Sequence, residues 1–339
     1  MRSIGKIKDI SKEISSKSVT TECIDENSAG QRIDNYLIRL LRSVPKSHIY
    51  RILRGGEVRV NSKRVNAQYR LQLDDKIRIP PVKIDQNPKI YNNNSYKTAS
   101  YKFKILYQDN ALLVINKPAG MAVHGGSGIS FGVIEQLRAQ YPDWKFLELV
   151  HRLDRETSGV LMLAKKRQVL IGLHQQIRQG TVTKRYLVMV KGKWLNLRQT
   201  VKIPLNKYVT AAGERRVAVV SEAHQQGKGM TAHTIFSLLK SWKNFSLLEA
   251  ELKTGRTHQI RVHLAHLGYP IVGDDKYGDF ALNKQLAKSN SGIKLARMFL
   301  HASNVIISHP MSGEQIEFEA PLADDLQVFL NGLERSIIR

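Results

Sequence analysis

The chain has 339 residues, 42% of them apolar and 24% charged, so it is long enough for about two packed domains and ordinary in composition for a globular protein. Its charge is not ordinary: 53 Lys and Arg against 29 Asp and Glu give +24, an excess that draws polyanions, either nucleic acid or an anionic membrane face. No apolar stretch reaches the roughly 18–20 residues of a membrane span, and the single cysteine, Cys23, excludes an internal disulfide or a cysteine-built zinc site; the expected partner is nucleic acid in the reducing cytoplasm.

Residues 1–20 form a basic lead without an apolar signal core, and Asp9 and Glu13 argue against a transit peptide, so disorder is expected there. A small basic unit follows, at 21–85. QRIDNYLIRLLRSV (31–44) places Ile33, Tyr36, Leu37, Leu40 and Leu41 on one helical face. Pro45 interrupts it, a second helix runs to Arg54 with Ser47 as its N-cap, and Gly55-Gly56 ends that helix. EVRVNSKRV alternates with period two around an Asn-Ser-Lys turn, a hairpin signal, and LQLDDKIRIPP supplies another alternating strand. Residues 31–83 carry 13 Lys and Arg against 4 Asp and Glu, a net +9. Most charge runs are only a solvated face, but here they crowd a helix-turn-helix-hairpin unit too small for an active site of its own. RNA binding is the expectation, through Arg32, Lys46, Arg51, Arg54, Arg59, Lys63 and Arg64.

QNPKIYNNNSYKTASYK (86–102) is polar and aperiodic and reads as a linker to a larger domain at 103–339. In that domain ALLVINKPAG (111–120) and SGVLMLAKK (158–166) read as buried strands, and FGVIEQLRAQ (131–140) as a short helix. RQVLIGLHQQIRQG (167–180) has helical spacing and a terminal glycine. KRYLVMVKG, TAHTIFSLLKSW and NFSLLEAELK read as strands, and THQIRVHLAHLG (257–268) as a helix with a glycine stop. NVIISHP and QIEFEAP form a last strand pair, and DDLQVFLNGLER a last helix. Strands come in adjacent pairs as well as in alternation with helices, which predicts an α+β fold with a mixed, largely antiparallel sheet.

Several motifs fail inspection. HGGSG (124–128) lacks the second glycine of a nucleophile elbow, because position 129 is Ile. Gly227-Lys228 is followed by Gly229 rather than Ser or Thr, so no phosphate loop is completed, and no nucleotide cofactor is expected. His258, His263 and His266 lack an acidic or cysteine partner nearby, so no metal site is expected; core-edge or RNA-contacting roles suit them better.

Three segments remain. HRLDRETSG holds Asp154 between Arg152 and Arg155 just before a buried run. TKRYL begins a strand with Tyr186. LKTGRTHQIRVH has Gly255 opening a helix that carries Arg256, His258 and Arg261. Strand-edge tyrosines and helix arginines are common singly. Together they offer a carboxylate, an aromatic face for a nucleobase and guanidinium groups for phosphate or for the carboxylate.

HRLDRETSG is similar to the signature of RluA-type pseudouridine synthases, which isomerise uridine to pseudouridine within RNA. LLVINKPAGMAVHGG, KRYLVMVKG and TGRTHQIRVHLAHLGYPIVGDDKYG also resemble family segments in the expected order, and the basic unit resembles an S4 RNA-binding domain. The resemblance covers roughly 25–320. It implies that Asp154 is the essential aspartate, that Tyr186 stacks on the uracil, that Arg261 pairs with the carboxylate and that Arg152 helps hold the flipped-out nucleotide. It also implies no metal and no organic cofactor. In such a reaction Asp154 attacks the anomeric carbon or removes the ribose 2′ proton, and both routes stay open here. Leu161, Leu163 and Ile260 are the expected walls of a closed uracil pocket, with His258 beside it. The expected substrate is 23S rRNA or a large-subunit assembly intermediate, bound by a monomer. A transfer-RNA substrate and a non-catalytic ribosome-assembly factor are the alternatives.

Overall fold

The computed structural model describes residues 18–82 apart from 27, 42 and 43, and residues 101–336 apart from 126–130, 212, 221–228 and 290–292. Residues 1–17 of the basic lead, 86–100 of the linker, most of HGGSG and the Gly227-Lys228 step therefore lie outside the described residues. The chain divides into two compact units, one within residues 1–100 and one within 101–339.

In the first unit, β1 (Thr20–Cys23) precedes two helices, α1 (Ile33–Leu40) and α2 (Lys46–Arg54), and then β2 (Arg59–Val60), β3 (Lys63–Arg64) and β4 (Lys76–Ile79). The strands pair antiparallel in the order β1-β4-β2-β3. Ile33, Tyr36 and Leu37 of α1 and Ile49, Ile52 and Leu53 of α2 bury one stripe each against Ile77 and Ile79 of β4, as an amphipathic helix on a half-buried strand should. The β2–β3 turn runs through Asn61 (φ 48°) and Ser62 (φ 67°), both left-handed, the geometry that matches the twist of a two-residue hairpin. Ser47 does not cap α2. Pro45 takes the boundary position at φ −56° and ψ 139°, since its ring fixes φ and it lacks the N–H that a preceding turn would need.

The second unit contains β5 (Lys104–Gln108), β6 (Leu112–Lys117), α3 (Val133–Gln140), β7 (Glu148–Leu149), β8 (Ser158–Ala164), α4 (Arg167–Gln179) and β9 (Thr183–Lys191). These are followed by β10 (Arg198–Val201), β11 (Leu205–Val209), β12 (Arg215–Val219), β13 (Thr234–Ser241), β14 (Phe245–Leu252) and α5 (Gln259–His266). The unit closes with α6 (Phe280–Lys288), β15 (Leu300–Ser308), β16 (Gln315–Glu319) and α7 (Asp324–Arg335). Ten strands form one sheet along the path β10-β13-β14-β9-β15-β8-β6-β5, with β16 on β15 and β7 on β8; among its described pairs only β8–β15 is parallel. The sheet is mixed and largely antiparallel, and the fold class is α+β. The β11–β12 hairpin stands outside this sheet.

Both faces of the central strands are covered, which is why β8 is buried at every position. Leu113, Ile115, Leu161, Leu163, Tyr186 and Val188 face one cluster, while Leu112, Val114, Val160 and Met162 face another that includes Val169 and Leu173 of α4. Gly159 (φ 112°) lets β8 meet β15: a Cβ there would lie 2.1 Å from the Ala302 carbonyl oxygen. The strands β5, β10, β11 and β12 and helix α6 have no counterpart in the sequence reading. They are short or mostly exposed, as in β11, where only Leu205 is buried, so no apolar period marks them.

Candidate active site

Asp154 sits in the loop between β7 and β8, where its carbonyl accepts the Thr157 N–H at 3.1 Å and closes a turn. Leu153 plunges into the core, which turns its two neighbours outward: Arg152 is exposed and the Asp154 side chain is 27% exposed. The loop is held from behind. Lys117, fully buried at the end of β6, donates to the carbonyls of Pro118 (2.6 Å), Met121 (2.8 Å) and Arg155 (3.1 Å), and Arg155 donates to Gly120 O at 2.9 Å. Burial pushes the Lys117 ammonium down to about 7, yet three carbonyls around one nitrogen use all three protons of its charged form.

Asp154 opens onto a cavity of about 600 Å³, within the range of sites for small organic ligands. Tyr186, 7% exposed, contributes an aromatic wall from β9; burial, then the charge of Asp154, raises its phenol above the ordinary value, so the ring presents a neutral face. Arg261 reaches the aspartate from α5. Its Nη1 lies 3.3 Å from Asp154 Oδ2, while Nε and Nη2 each donate to Asp274 at 2.7 Å and Nη2 also meets Asp275 at 3.0 Å. The guanidinium is 3% exposed; burial opposes its charge, and the hydrogen bonds and charge of Asp274 more than compensate. Burial likewise opposes ionisation of Asp274, but the Arg261 hydrogen bonds bring its carboxyl below the usual range.

The helix carrying Arg261 starts later than the sequence suggests. It begins at Gln259, leaving Gly255, Arg256 and His258 in the preceding loop. Gln259 accounts for the break: its side-chain oxygen accepts from Arg256 N (3.0 Å) and Thr254 Oγ1 (2.8 Å), folding the loop onto the helix start. His258 is left-handed (φ 53°), with Nε2 3.8 Å from Asp154 Oδ2 and Nδ1 2.9 Å from the Tyr277 hydroxyl. The Tyr277 oxygen also accepts the Val217 N–H at 3.0 Å, so its own proton is available to Nδ1. Burial lowers the His258 pKa, with Asp154 acting against it, so the neutral ring is the favoured form.

Asp154, Tyr186, Arg261, Arg152, His258 and Ile260 all line this cavity. Leu161 and Leu163 do not. Both are fully buried in β8 behind the site, packed in the core that supports Tyr186 and Ile260, and the apolar lining beside Ile260 comes from Leu149, Val150, Leu153, Ile177, Leu252 and Leu300. Asp274, Asp275 and Tyr277 were missed; the signal was the polar run GDDKYG directly after the apolar YPIV. Lys184, also in the lining, was missed although it lies two residues before Tyr186 and hence on the same strand face. His263 is fully buried, bonded to Thr234 Oγ1 at 2.9 Å and Ile203 O at 3.0 Å, so both ring nitrogens are occupied. Among the described residues no group of three His, Cys, Asp or Glu has a metal-holding arrangement, and no helix is long and apolar enough to cross a membrane.

In the first unit, four of the seven expected RNA contacts are already engaged. Arg32 pairs with buried Asp34 at 2.6 Å, Arg51 with Glu57 at 3.4 Å, Arg59 donates to Gly56 O at 3.4 Å and Arg64 to Gly55 O at 2.6 Å. Lys46, Arg54 and Lys63 are exposed, with no hydrogen bond or ion pair among the described residues. Arg54 and Arg64 also line a second cavity of about 500 Å³ beside Tyr50.

A family model described as RNA pseudouridylate synthase matches residues 111–266, and an S4 domain model matches 31–77. The chain is 47% identical over 322 residues to a protein of Pasteurella multocida named ribosomal large subunit pseudouridine synthase C, covering 95% of this chain and 96% of the relative. It is 46% identical over 320 residues to the Escherichia coli K12 protein of the same name, covering 94% and 98%. Among solved structures, human RNA Pseudouridylate Synthase Domain Containing 4 matches with a TM-score of 0.55 at 27% identity, covering 68% of this chain and 93% of that one.

Proposed function

The chain belongs to the RNA pseudouridylate synthase family, and from that premise we propose that it isomerises specific uridines of 23S ribosomal RNA, with Asp154 as the reacting group. The observation that carries the reading is the Asp154 carboxylate, held by a buried arginine on the floor of a nucleotide-sized cavity beside the Tyr186 ring. The large-subunit substrate is supported by the names of the relatives and by the S4 match at the front of the chain.

Pseudouridine is uridine with its glycosidic bond moved from N1 to C5 of the ring. A stacked nucleotide hides the ribose carbon, so the uridine leaves the stack at a cost of a few kcal/mol, offset by phosphate contacts to the basic surface. Arg152, exposed at the cavity rim, helps hold the extruded conformation, and Tyr186 stacks on the uracil. Asp154 lies under the sugar, placed for attack at C1′ or for removal of the 2′ proton. Arg261 keeps it aimed, because its own position is fixed by Asp274. The reaction draws on no cofactor, and the enzyme acts as a cytoplasmic monomer.

The test is a pseudouridine map of total RNA from cells with and without the gene, read by chemical labelling and reverse-transcription stops. Loss of marks at a few 23S rRNA positions is expected. Loss confined to transfer RNA would overturn the substrate, and an unchanged map the activity.

A further inference from the structure

The second unit buries three cationic side chains among the described residues: Lys117, Arg261 and Lys184. The first holds three carbonyls and the second three carboxylates. Lys184 holds nothing. It is 8% exposed and lines the same cavity as Tyr186, with no hydrogen bond or ion pair among the described residues. A buried charge without a partner is costly to maintain unless something else supplies the opposite charge. Burial alone pulls its pKa down.

Its placement says what that something is. Lys184 and Tyr186 occupy alternate positions of β9, both pointing inward, which sets them roughly 7 Å apart on one face. A base stacked on Tyr186 therefore has an edge within reach of the Lys184 ammonium. On the far side the ammonium lies against Gly255, where an added Cβ would come within 3.7 Å of Nζ. The exposed arginines at the rim, Arg152, Arg178 and Arg256, suit backbone phosphates, whereas Lys184 is as buried as the ring on which the base would lie.

Resting on the function proposed above, we propose that Lys184 binds the oxygen edge of the flipped uracil and stabilises the negative charge the base acquires when it leaves the ribose. When the C1′–N1 bond breaks, its electron pair goes to N1 and spreads over O2 and O4. The ammonium meets that charge with hydrogen bonds and transfers no proton. The uracil anion then turns and C5 bonds to C1′; the proton lost from C5 and the proton gained by N1 cancel, so the reaction remains an isomerisation.

The experiment uses full-length protein and 23S rRNA transcribed in vitro without modifications, with wild type in parallel. Single-turnover rates at saturating enzyme, RNA Kd with its salt dependence, and Tm are measured for Lys184→Met and Lys184→Arg. Lys184→Met should lower the saturated rate by about 10²–10³-fold, leave Kd within about twofold and keep or raise Tm, since it replaces an unpaired buried charge with an apolar chain. Lys184→Arg should stay within about tenfold of wild type. An unchanged rate in Lys184→Met overturns the proposal. So does an unchanged saturated rate with weaker Kd and a salt slope smaller by about one, which marks a phosphate contact. If Lys184→Met folds poorly, a folded but equally inactive Lys184→Arg overturns it, because charge is then not the feature that matters. A wild type that makes no pseudouridine on this transcript fails the functional reading itself.

Discussion

Of the three aspartates that Arg261 meets, it treats Asp274 and Asp154 unequally. It grips Asp274 with two hydrogen bonds of 2.7 Å and touches Asp154 with one of 3.3 Å. Asp274 is fully buried and Asp154 is not, so the first pair is structural in character and the second remains open to a substrate. Asp274 itself is pinned by the backbone N–H groups of Lys276 (2.8 Å) and Tyr277 (3.0 Å). The preceding Gly273 (φ 79°) passes so close to Arg297 that a Cβ would lie 1.9 Å from its carbonyl oxygen.

Asp274→Asn should therefore damage the enzyme although the substituted side chain would touch no substrate. Removing the charge of its one fully buried partner leaves Arg261 only the partly exposed Asp154 and the exposed Asp275, a loss of up to about 3–5 kcal/mol, and frees it to swing onto Asp154. A drop in Tm together with a loss of at least tenfold in the saturated rate is expected. A variant with wild-type stability and rate would show that Asp274 does not position Arg261.

Asp154→Asn separates chemistry from binding. The amide keeps the shape of the carboxylate but neither attacks C1′ nor accepts the 2′ proton efficiently. Isomerisation should fall to background while RNA Kd stays nearly unchanged, because the phosphates are met by exposed cations elsewhere. Full activity in this variant would remove Asp154 from the mechanism.

The parts of the site that lay in one sequence segment were legible, and those assembled by distant segments were not. Asp154 stood out because a carboxylate between two arginines precedes a strand, β8, whose seven residues are all buried. Strand and helix periods placed Tyr186 and Arg261 on their elements, but their roles beside Asp154 were implied only by the resemblance to RluA-type pseudouridine synthases. Asp274 pairs with Arg261 across thirteen positions and a chain reversal, and nothing in either local pattern announces the pairing. Leu163 shows the opposite error: an apolar residue in a buried strand was expected to wall the pocket, but a strand covered on both faces hides its side chains from any cavity. Lys184 was readable in principle, since TKRYL puts a lysine on the tyrosine's own face.

The first unit allows a quantitative electrostatic prediction. Lys46, Arg54 and Lys63 are exposed and unengaged, whereas Arg32 is committed to Asp34 and Arg64 to a backbone carbonyl. Each cation that neutralises a phosphate contributes about 0.7–0.9 to the slope of log K against log salt. The triple alanine variant should bind rRNA more weakly and lower that slope by roughly two to three, with Tm unchanged. Changing Arg32 instead should lower Tm, because Asp34 loses its partner in the core. An unaltered slope in the triple variant would mean that these three residues meet no phosphate.

The buried histidines set the acid limit of the second unit. His301 is fully buried; its Nε2 donates to Ala320 O at 3.1 Å, and Nδ1 accepts from Ser158 Oγ at 2.8 Å, an oxygen that already accepts from Arg297 at 3.1 Å. That network suits the neutral ring, and burial pulls its pKa from 6.5 down to about 4. His263, equally buried, is lowered in the same direction for the same reason. The unfolded chain takes up a proton on His301 near pH 6.5 while the folded chain refuses it until about 4, so stability is complete above 6.5 and declines as pH falls toward 4. The slope approaches about 1.4 kcal/mol per pH unit for each such histidine, or about 3 kcal/mol over the whole window for His301. Carboxylates held low by partners, such as Asp274, add their losses only further into acid. All three tryptophans, Trp144, Trp194 and Trp242, lie in this unit, so urea unfolding followed by their fluorescence reports it alone. Stability should decrease steadily from pH 7 to pH 5, and His301→Gln, though less stable at pH 7, should show a visibly shallower decline. An equal decline in that variant would assign the acid sensitivity to groups other than His301.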